Sequence, residues 1–360
     1  MMAQVGIIGA GSWGTAVGSQ LANSGHQVYL WMRTGSAADE INKTRENKRY
    51  LPGHKLSENI YATNDLEKAS QNKDLLILAT PSIYLEDTVK KLLDTTTFKK
   101  VKETDEGKPI IAVLSKGFLQ SQEGHPLFII QSLEKILPPP FNTRLVYVSG
   151  PSHAEEVASG KLTGLIVASS NPIASIRARE ILKTRALLVY SSLDVIGVQT
   201  CAATKNIIAI AFGMLSALTE TSKKFGDNCE ALLLAAGLNE MQTLGKALGA
   251  THSETFTSIA GVGDLEVTCR SRFGRNRRFG IDIVKNKVLD KFSGIDDIIE
   301  NSSRLGYLSE GVPACKYVNH LAMKKNLKLP ISTAVYKILN KEMTVDEFLI
   351  KLLTGENINA

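Results

Sequence analysis

A chain of 360 residues, 43% of them hydrophobic, can bury more than one modest core, so two domains are expected and a disordered chain is excluded. Its net charge of +6 suits a small anionic substrate without demanding nucleic acid. The four cysteines, Cys201, Cys229, Cys269 and Cys315, form no C-x-x-C pair, which argues against a zinc site or disulfide framework and fits a reducing cytoplasm. No apolar run of about 18 residues escapes polar interruption, so no membrane-spanning helix is expected. The N-terminus lacks the basic region of a signal peptide.

In chain order, the first half alternates strands and helices. "QVGIIGAG" is an apolar, β-branched run ending in glycines. "GTAVGSQLANSG" reads as a helix closed by Gly25, and "HQVYLWMR" as the second strand. "KDLLILATP", "PIIAVLSKG" and "RLVYVSGP" are nearly continuous apolar runs, the pattern of parallel strands covered on both faces. "GLIVASS" and "ALLVYSS" add two more. The segment from Lys99 to Pro109 reads as a solvated loop, and Pro138 to Pro140 as a rigid turn. After Asp194 the strands stop. "VIGVQTCAATKNIIAIAFGMLSALTE" predicts a long buried helix, and "DNCEALLLAAGLNEMQTLGKALG" another with Asp227 or Asn228 as its N-cap. These periods predict an α/β doubly wound domain over 1–194 and an all-helical domain over 195–360.

Gly9-Ala10-Gly11-Ser12-Trp13-Gly14 reads G-x-G-x-x-G between a strand and a helix. As a dinucleotide turn, Gly9 permits the tight turn, Gly11 lets amides approach a pyrophosphate, and Gly14 lets the helix pack on the strand. The helix N-terminus then faces the anion. A strand–helix turn with no ligand would carry the same glycines. About 20 residues on, an Asp or Glu would grip the ribose hydroxyls and repel a 2′-phosphate. This chain has Met32 and Arg33 there. Arg33 either pairs with that phosphate or stacks on adenine, so NADP(H) is expected to be accepted, with NAD(H) not excluded.

Ligands of an open α/β sheet gather at the carboxyl ends of its strands. Those ends carry Thr80-Pro81-Ser82, then Ser115-Lys116-Gly117-Phe118, then the stretch from Gly150 to Glu156. Lys116 is a cation at a strand end, or a solvated lysine. The last stretch reads as a tight turn and a helix capped by Ser152, with His153 either titrating near neutral pH or capping. In the helical half, Lys205 and Asn206 interrupt an apolar helix. A lysine is costly to bury unpaired, so Lys205 is paired, neutral or snorkelling. Further on, Gly261-Val262-Gly263 leads into Asp264, suited to start a helix and sharing a face with Thr268. Arg270, Arg272, Arg275, Arg277 and Arg278 cluster about Gly274 and Asn276. As a nucleic-acid patch the cluster is short, with only Phe273 and Phe279 to stack on bases. As a phosphate or carboxylate clamp it offers bidentate arginine, a directed amide and a glycine for close approach.

"GAGSWGTA", "SKGF", "SGPSHAEE", "AATKNIIAIAFG", "GVGDLEVTCRSRFGRNRRFG" and "SEGVPA", in that order, resemble the NAD(P)-dependent glycerol-3-phosphate dehydrogenase family in its bacterial form. The resemblance runs from Val5 to about Leu353. It implies an N-terminal Rossmann-type domain and a C-terminal domain like that of 6-phosphogluconate dehydrogenases. By resemblance, Lys205 is the proton donor and acceptor, and Lys116 touches both cofactor and substrate. Gly150, Ser152 and Ala154 line substrate and nicotinamide. Asp264, Arg275 and Asn276 bind substrate, Arg275 also reaching the cofactor. Gly9, Gly11, Ser12, Trp13, Gly14 and Arg33 hold the cofactor, with late contacts from Leu308 and Glu310. One departure is Gly274, where the family often has Ser; a hydroxyl contact to substrate is lost and a backbone amide remains.

The implied reaction is reversible reduction of dihydroxyacetone phosphate by NADPH or NADH, giving sn-glycerol 3-phosphate for phospholipid synthesis. Ketone reduction needs a hydride at carbon and a proton at oxygen. A free lysine titrates near ~10.4 and burial lowers that, so Lys205 suits the proton. The same resemblance implies a cytoplasmic enzyme with no metal, no nucleic acid and no membrane span, with a homodimer as its candidate assembly. Two rivals share parts of the pattern. A ketopantoate or 6-phosphogluconate type reductase has the same layout, and "GDLEVTC" with "GRNRRFG" argues against it. A nicotinamide-binding redox sensor would not require Lys116, Lys205, Asp264, Arg275 and Asn276 together.

Overall fold

The computed structural model describes residues 2–99, 109–121, 123–139, 141–220, 222 and 224–354. Of the expected surface loop, 100–108 lie outside the described residues, as does the last proline of the expected turn at 138–140. The chain divides into two compact units, Met1–Val195 and Ile196–Ala360.

The strands, all in the first unit, are β1 (Gln4–Ile8), β2 (Gln27–Trp31), β3 (Glu46–Asn47), β4 (Leu51–Lys55), β5 (Ile60–Thr63) and β6 (Leu75–Leu78), then β7 (Ile110–Val113), β8 (Phe118–Gln120), β9 (Pro126–Phe128), β10 (Leu145–Ser149), β11 (Thr163–Ala168) and β12 (Leu187–Ser192). Eight of them form one sheet in the order β12-β11-β10-β7-β6-β1-β2-β5. Neighbours run parallel except β10 and β11. Every residue of β6 and β7 is buried, as the continuous runs LLIL and IIAV require of central parallel strands. From β1 the sheet grows through β2 to β5 on one side, then restarts at β6 on the other. That reversal is a topological switch point, outside whose strand ends ligands bind.

The helices of this unit are α1 (Ser12–Asn23), α2 (Gly35–Thr44), α3 (Leu66–Ser70), α4 (Ser82–Leu92), α5 (Thr96–Lys99), α6 (Ile129–Ile136), α7 (Ala154–Ala158) and α8 (Pro172–Leu182). Helix α1 ends at Asn23, with Gly25 at φ +94° just beyond it, where the expected terminating glycine stands. Helix α7 corrects an expectation. Its N-cap is His153, and the Ser152 hydroxyl donates 2.8 Å back to the Gly150 carbonyl instead. A serine whose hydroxyl closes a local turn is no longer available as a cap.

The second unit is helical: α9 (Val195–Thr219, its first residue in unit one), α10 (Asp227–Leu248), α11 (Asp264–Arg270), α12 (Arg275–Lys285), α13 (Ile295–Glu300), α14 (Gly311–Lys325), α15 (Pro330–Leu339) and α16 (Val345–Thr354). Helix α9 is by length and composition alone apolar enough to cross a membrane, but 94% of its most apolar window is buried within the protein, as befits a core helix. Helix α10 starts at Asp227 itself, after an extended Gly226 that serves as N-cap. Neither Asp227 nor Asn228 caps it. Asp227, in the first turn, still meets the positive end of the helix dipole.

Two glycines set the α9–α12 crossing. A Cβ on Gly213 would lie 2.0 Å from the Arg277 carbonyl oxygen, and one on Gly280 would lie 2.1 Å from that of Ile210. The two backbones therefore touch, and no larger residue fits either position.

Candidate active site

Within the first unit, the strand ends named by the sequence converge on one edge of the sheet. Residues Gly9, Thr80, Ser115 and Gly150 each follow one of the mutually parallel strands β1, β6, β7 and β10. The three glycines of the first turn have three different environments. Gly9 sits at φ +120°, a conformation that L side chains rarely adopt. A Cβ on Gly14 would strike the Gly9 carbonyl oxygen at 2.1 Å. A Cβ on Gly11 would meet nothing within 4 Å. Gly9 and Gly14 are thus required by the fold itself, and Gly11 leaves open space before the first turn of α1. That space, with unsatisfied helix amides facing it, fits a pyrophosphate.

A short hairpin braces this turn, and the sequence did not single it out. Buried Asn47 in β3 donates to the Ala10 carbonyl at 3.0 Å and to the Thr15 hydroxyl at 2.9 Å. Ser12 Oγ donates to the Tyr50 carbonyl at 2.6 Å. Trp13 is half-buried against the core of the unit, and Arg33 is exposed just beyond β2. Lys116 is half-buried after β7, followed by Gly117 at φ +109°. Gly150, at φ +122°, turns the chain tightly against β11, and Ala154 is buried at the start of α7.

In the second unit, polar residues that the sequence singles out on separate helices meet in pairs, Lys205 with Asp264 and Asn206 with Asn276. Lys205 and Asn206 are buried on α9, 6% and 4% exposed. The Lys205 ammonium donates to the carboxylate of Asp264, itself 1% exposed, in a buried ion pair. Asp264 opens α11 directly after a π-helical turn, Ile259–Gly263. Gly261 is needed there, because a Cβ would overlap the Phe256 carbonyl oxygen at 1.9 Å. Thr268 Oγ1 donates 2.6 Å to the Asp264 backbone carbonyl, closing the first turn of α11. Asn276, on the first turn of α12, donates 2.9 Å to Asn206 Oδ1. Its own Oδ1 accepts from Ser309 Oγ at 2.9 Å and from the Gly311 amide at 3.0 Å. Leu308 and Glu310, half-buried, flank Ser309. Gly311 permits the approach, since its Cβ would lie 2.7 Å from the Asn206 carbonyl oxygen.

The arginine cluster is not one basic stripe. Arg270 pairs with Glu230 and Glu266, each at 2.9 Å. Arg277 is half-buried and donates to the Ser216 hydroxyl. Arg278 lies over Tyr307, and Arg272 over Phe273. Arg275 is exposed at the start of α12 and forms no ion pair among the described residues. Gly274 precedes it in extended conformation, and a Cβ there would crowd the Thr268 carbonyl oxygen at 2.9 Å. The Arg275 guanidinium is therefore not taken up by an acidic side chain among the described residues, and it directly precedes Asn276, whose side chain reaches Asn206 next to Lys205. Among the described residues, no three His, Cys, Asp or Glu side chains gather as a metal site.

Thr268 meets Asp264 four residues back, as their shared helix face predicts, whereas Asn47 and Ser309 carry structure here that their sequence context did not signal. Both act on partners more than 30 positions away, so no spacing rule could have found them.

The chain matches two family models over most of its length. The N-terminus of NAD-dependent glycerol-3-phosphate dehydrogenase matches residues 4–175, and the C-terminus matches residues 194–350. A glycerol-3-phosphate dehydrogenase [NAD(P)+] of Treponema denticola is 57% identical over 356 residues, covering 98% of this chain and 99% of the relative. One from Treponema pallidum (strain Nichols) is 51% identical over 354 residues, covering 98% and 99%. The crystal structure of glycerol-3-phosphate dehydrogenase from Coxiella burnetii superposes with a TM-score of 0.81 at 30% identity, covering 98% of this chain and 99% of that one.

Proposed function

The chain belongs to the NAD-dependent glycerol-3-phosphate dehydrogenase family, and on that premise we propose how its residues divide the work of the reaction. It is an oxidoreductase that reversibly reduces dihydroxyacetone phosphate to sn-glycerol 3-phosphate with NADPH or NADH, supplying glycerol 3-phosphate to phospholipid synthesis. The bound nicotinamide supplies the hydride. Gly9, Gly11 and Gly14, with Ser12 and Trp13 at the start of α1, hold the pyrophosphate end of the cofactor. Arg33 takes the 2′-phosphate when NADPH is used. Lys116, Gly150, Ser152 and Ala154 line the nicotinamide and substrate, and Leu308 and Glu310 add the late contacts.

The single observation that carries the mechanism is the buried Lys205–Asp264 pair. As the ketone oxygen gains negative charge, the Lys205 ammonium stabilises it and delivers the proton. Asp264 keeps the ammonium oriented and compensates its charge in a site that excludes water. A preorganised cation of this kind does most where the dielectric is low. Arg275 grips the substrate phosphate in its planar fork. The backbone at Gly274 and Asn276 allows the phosphate to approach the first turn of α12, where helix amides favour an anion. Asn276 holds this turn against Asn206, so the phosphate grip and the proton donor are fixed to one another through adjacent residues.

We infer a cytoplasmic location for the reaction, a reading supported by the soluble cofactor and triose phosphate that the family uses. The test is direct: purified protein with NADPH should consume it only after dihydroxyacetone phosphate is added. No consumption by a folded protein would contradict the assignment. Equal consumption with ketopantoate would favour the related reductase reading.

A further inference from the structure

We propose that Ser309 is a positioning residue of the reaction, fixing through Asn276 which end of the Asn206 side chain faces the substrate. The inference rests on the reading of the chain as a dihydroxyacetone phosphate reductase.

Two side-chain amides in series, Asn276 and Asn206, can each be turned two ways, and the protein must choose. The Gly311 backbone amide decides the first, because an N–H can only donate. The Asn276 atom 3.0 Å from it is therefore the oxygen. Ser309 Oγ, buried at 4% exposure, adds a second donor to that same oxygen at 2.9 Å. With its oxygen taken twice, Asn276 presents its NH₂ to α9. Asn206 must answer with its own oxygen, at 2.9 Å. Asn206 is then left with an NH₂ that has no partner among the described residues, on a side chain only 4% exposed whose nitrogen is not sealed from solvent. A donor held rigidly in a nearly buried side chain, with no protein partner and an opening to solvent, is placed to meet a ligand oxygen or a water. The relay thus ends in a fixed donor immediately after Lys205 in the helix. The occupant it fits is an oxygen of the triose phosphate, carbonyl or hydroxyl.

Ser309 and Gly311 stand on the segment that leads into α14, between and beside Leu308 and Glu310. The hydroxyl is the only part of this relay supplied by a side chain that neither touches Asn206 nor borders Arg275. Removing it leaves the carboxamide of Asn276 held on one side by a single amide, free to rock or to admit water.

Four variants test this: Ser309→Ala, Ser309→Thr, Asn276→Ala, and Ser309→Ala combined with Asn276→Ala. In Ser309→Ala, kcat/KM for dihydroxyacetone phosphate should fall about tenfold, the scale of one lost hydrogen bond, with NADPH affinity unchanged. Ser309→Thr, which keeps the hydroxyl, should recover most of it. In the Asn276→Ala background, Ser309→Ala should have no further effect, because its partner is gone. Additive losses, or Thr behaving like Ala, would show that Ser309 only packs the segment. Wild-type kcat/KM in Ser309→Ala would overturn the inference while leaving the reaction standing. Lack of turnover in the unsubstituted chain would overturn the reaction and the inference with it.

Discussion

Lys205 and Asp264, 59 residues apart in sequence, form one ion pair from which solvent is almost excluded. Neither partner is tolerable there alone. Breaking a buried pair by neutralising one member typically costs about 3–5 kcal/mol, since a charge is left uncompensated. Asp264→Asn should therefore lower the melting temperature, and it should cut turnover about 10²-fold while NADPH still binds. Calorimetry and steady-state kinetics on the one variant check both. Normal turnover would mean that Lys205 needs no counter-charge.

Arg275 is the exposed guanidinium next to the Asn276 relay. Arg275→Ala should raise KM for dihydroxyacetone phosphate by at least about 10²-fold, the loss of a charge-assisted bidentate contact. Arg275→Lys should recover only part, since an ammonium lacks the planar fork. Unchanged KM in Arg275→Ala would place the phosphate elsewhere, and an equal rise in KM for a non-phosphorylated ketone would make the effect structural.

Arg33 lies just past β2, exposed, where a carboxylate would otherwise exclude a 2′-phosphate. Arg33→Asp should raise KM for NADPH by about tenfold or more and leave that for NADH nearly unchanged. Parallel titrations with the two cofactors decide it. Equal effects would reduce Arg33 to a platform for adenine.

Glu240 supplies a stability prediction away from the site. It lies buried on α10 and receives the backbone amides of Ile331 and Ser332 and the Ser332 hydroxyl, so it caps α15 from a neighbouring helix. Burial pushes its carboxyl from 4.5 up to about 7, against the pull of those three donors. Between these values the folded state holds a proton that the unfolded chain has released. Stability must then fall as pH rises through that window, by about 3 kcal/mol at most. Glu240→Gln should be less stable than wild type at pH 5, having lost an acceptor, and should show a flatter pH dependence. Urea denaturation across the window checks the slope; identical slopes would remove Glu240 as its source.

The sheet and the long helices were legible because burial leaves periodic marks. LLIL and IIAV are apolar throughout since β6 and β7 are covered on both faces, and Lys205 stood out because it interrupts an apolar helix. Strand direction leaves no such mark: nothing in "GLIVASS" announces that β11 runs against β10. The β3–β4 and β8–β9 hairpins are too short to show a period. The Ser152 cap was misread because the same hydroxyl also suits the turn at Gly150, and geometry chose the turn. Asn276 is expected to bind substrate, and the side-chain bonds it makes to Asn206, Ser309 and Gly311 carry no mark in the sequence. Such relays join residues 33 to 70 positions apart, beyond the reach of any local pattern.

The central claim is that Lys205 donates the proton, and Lys205→Ala tests it most directly. Turnover, NADPH affinity and melting temperature should be measured together on that variant. Turnover should fall by at least about 10³-fold, as loss of both proton transfer and charge stabilisation demands, while NADPH affinity stays near wild type. Turnover within about tenfold of wild type, in a folded protein that still binds NADPH, would remove Lys205 from the chemistry and leave Lys116 as the next candidate.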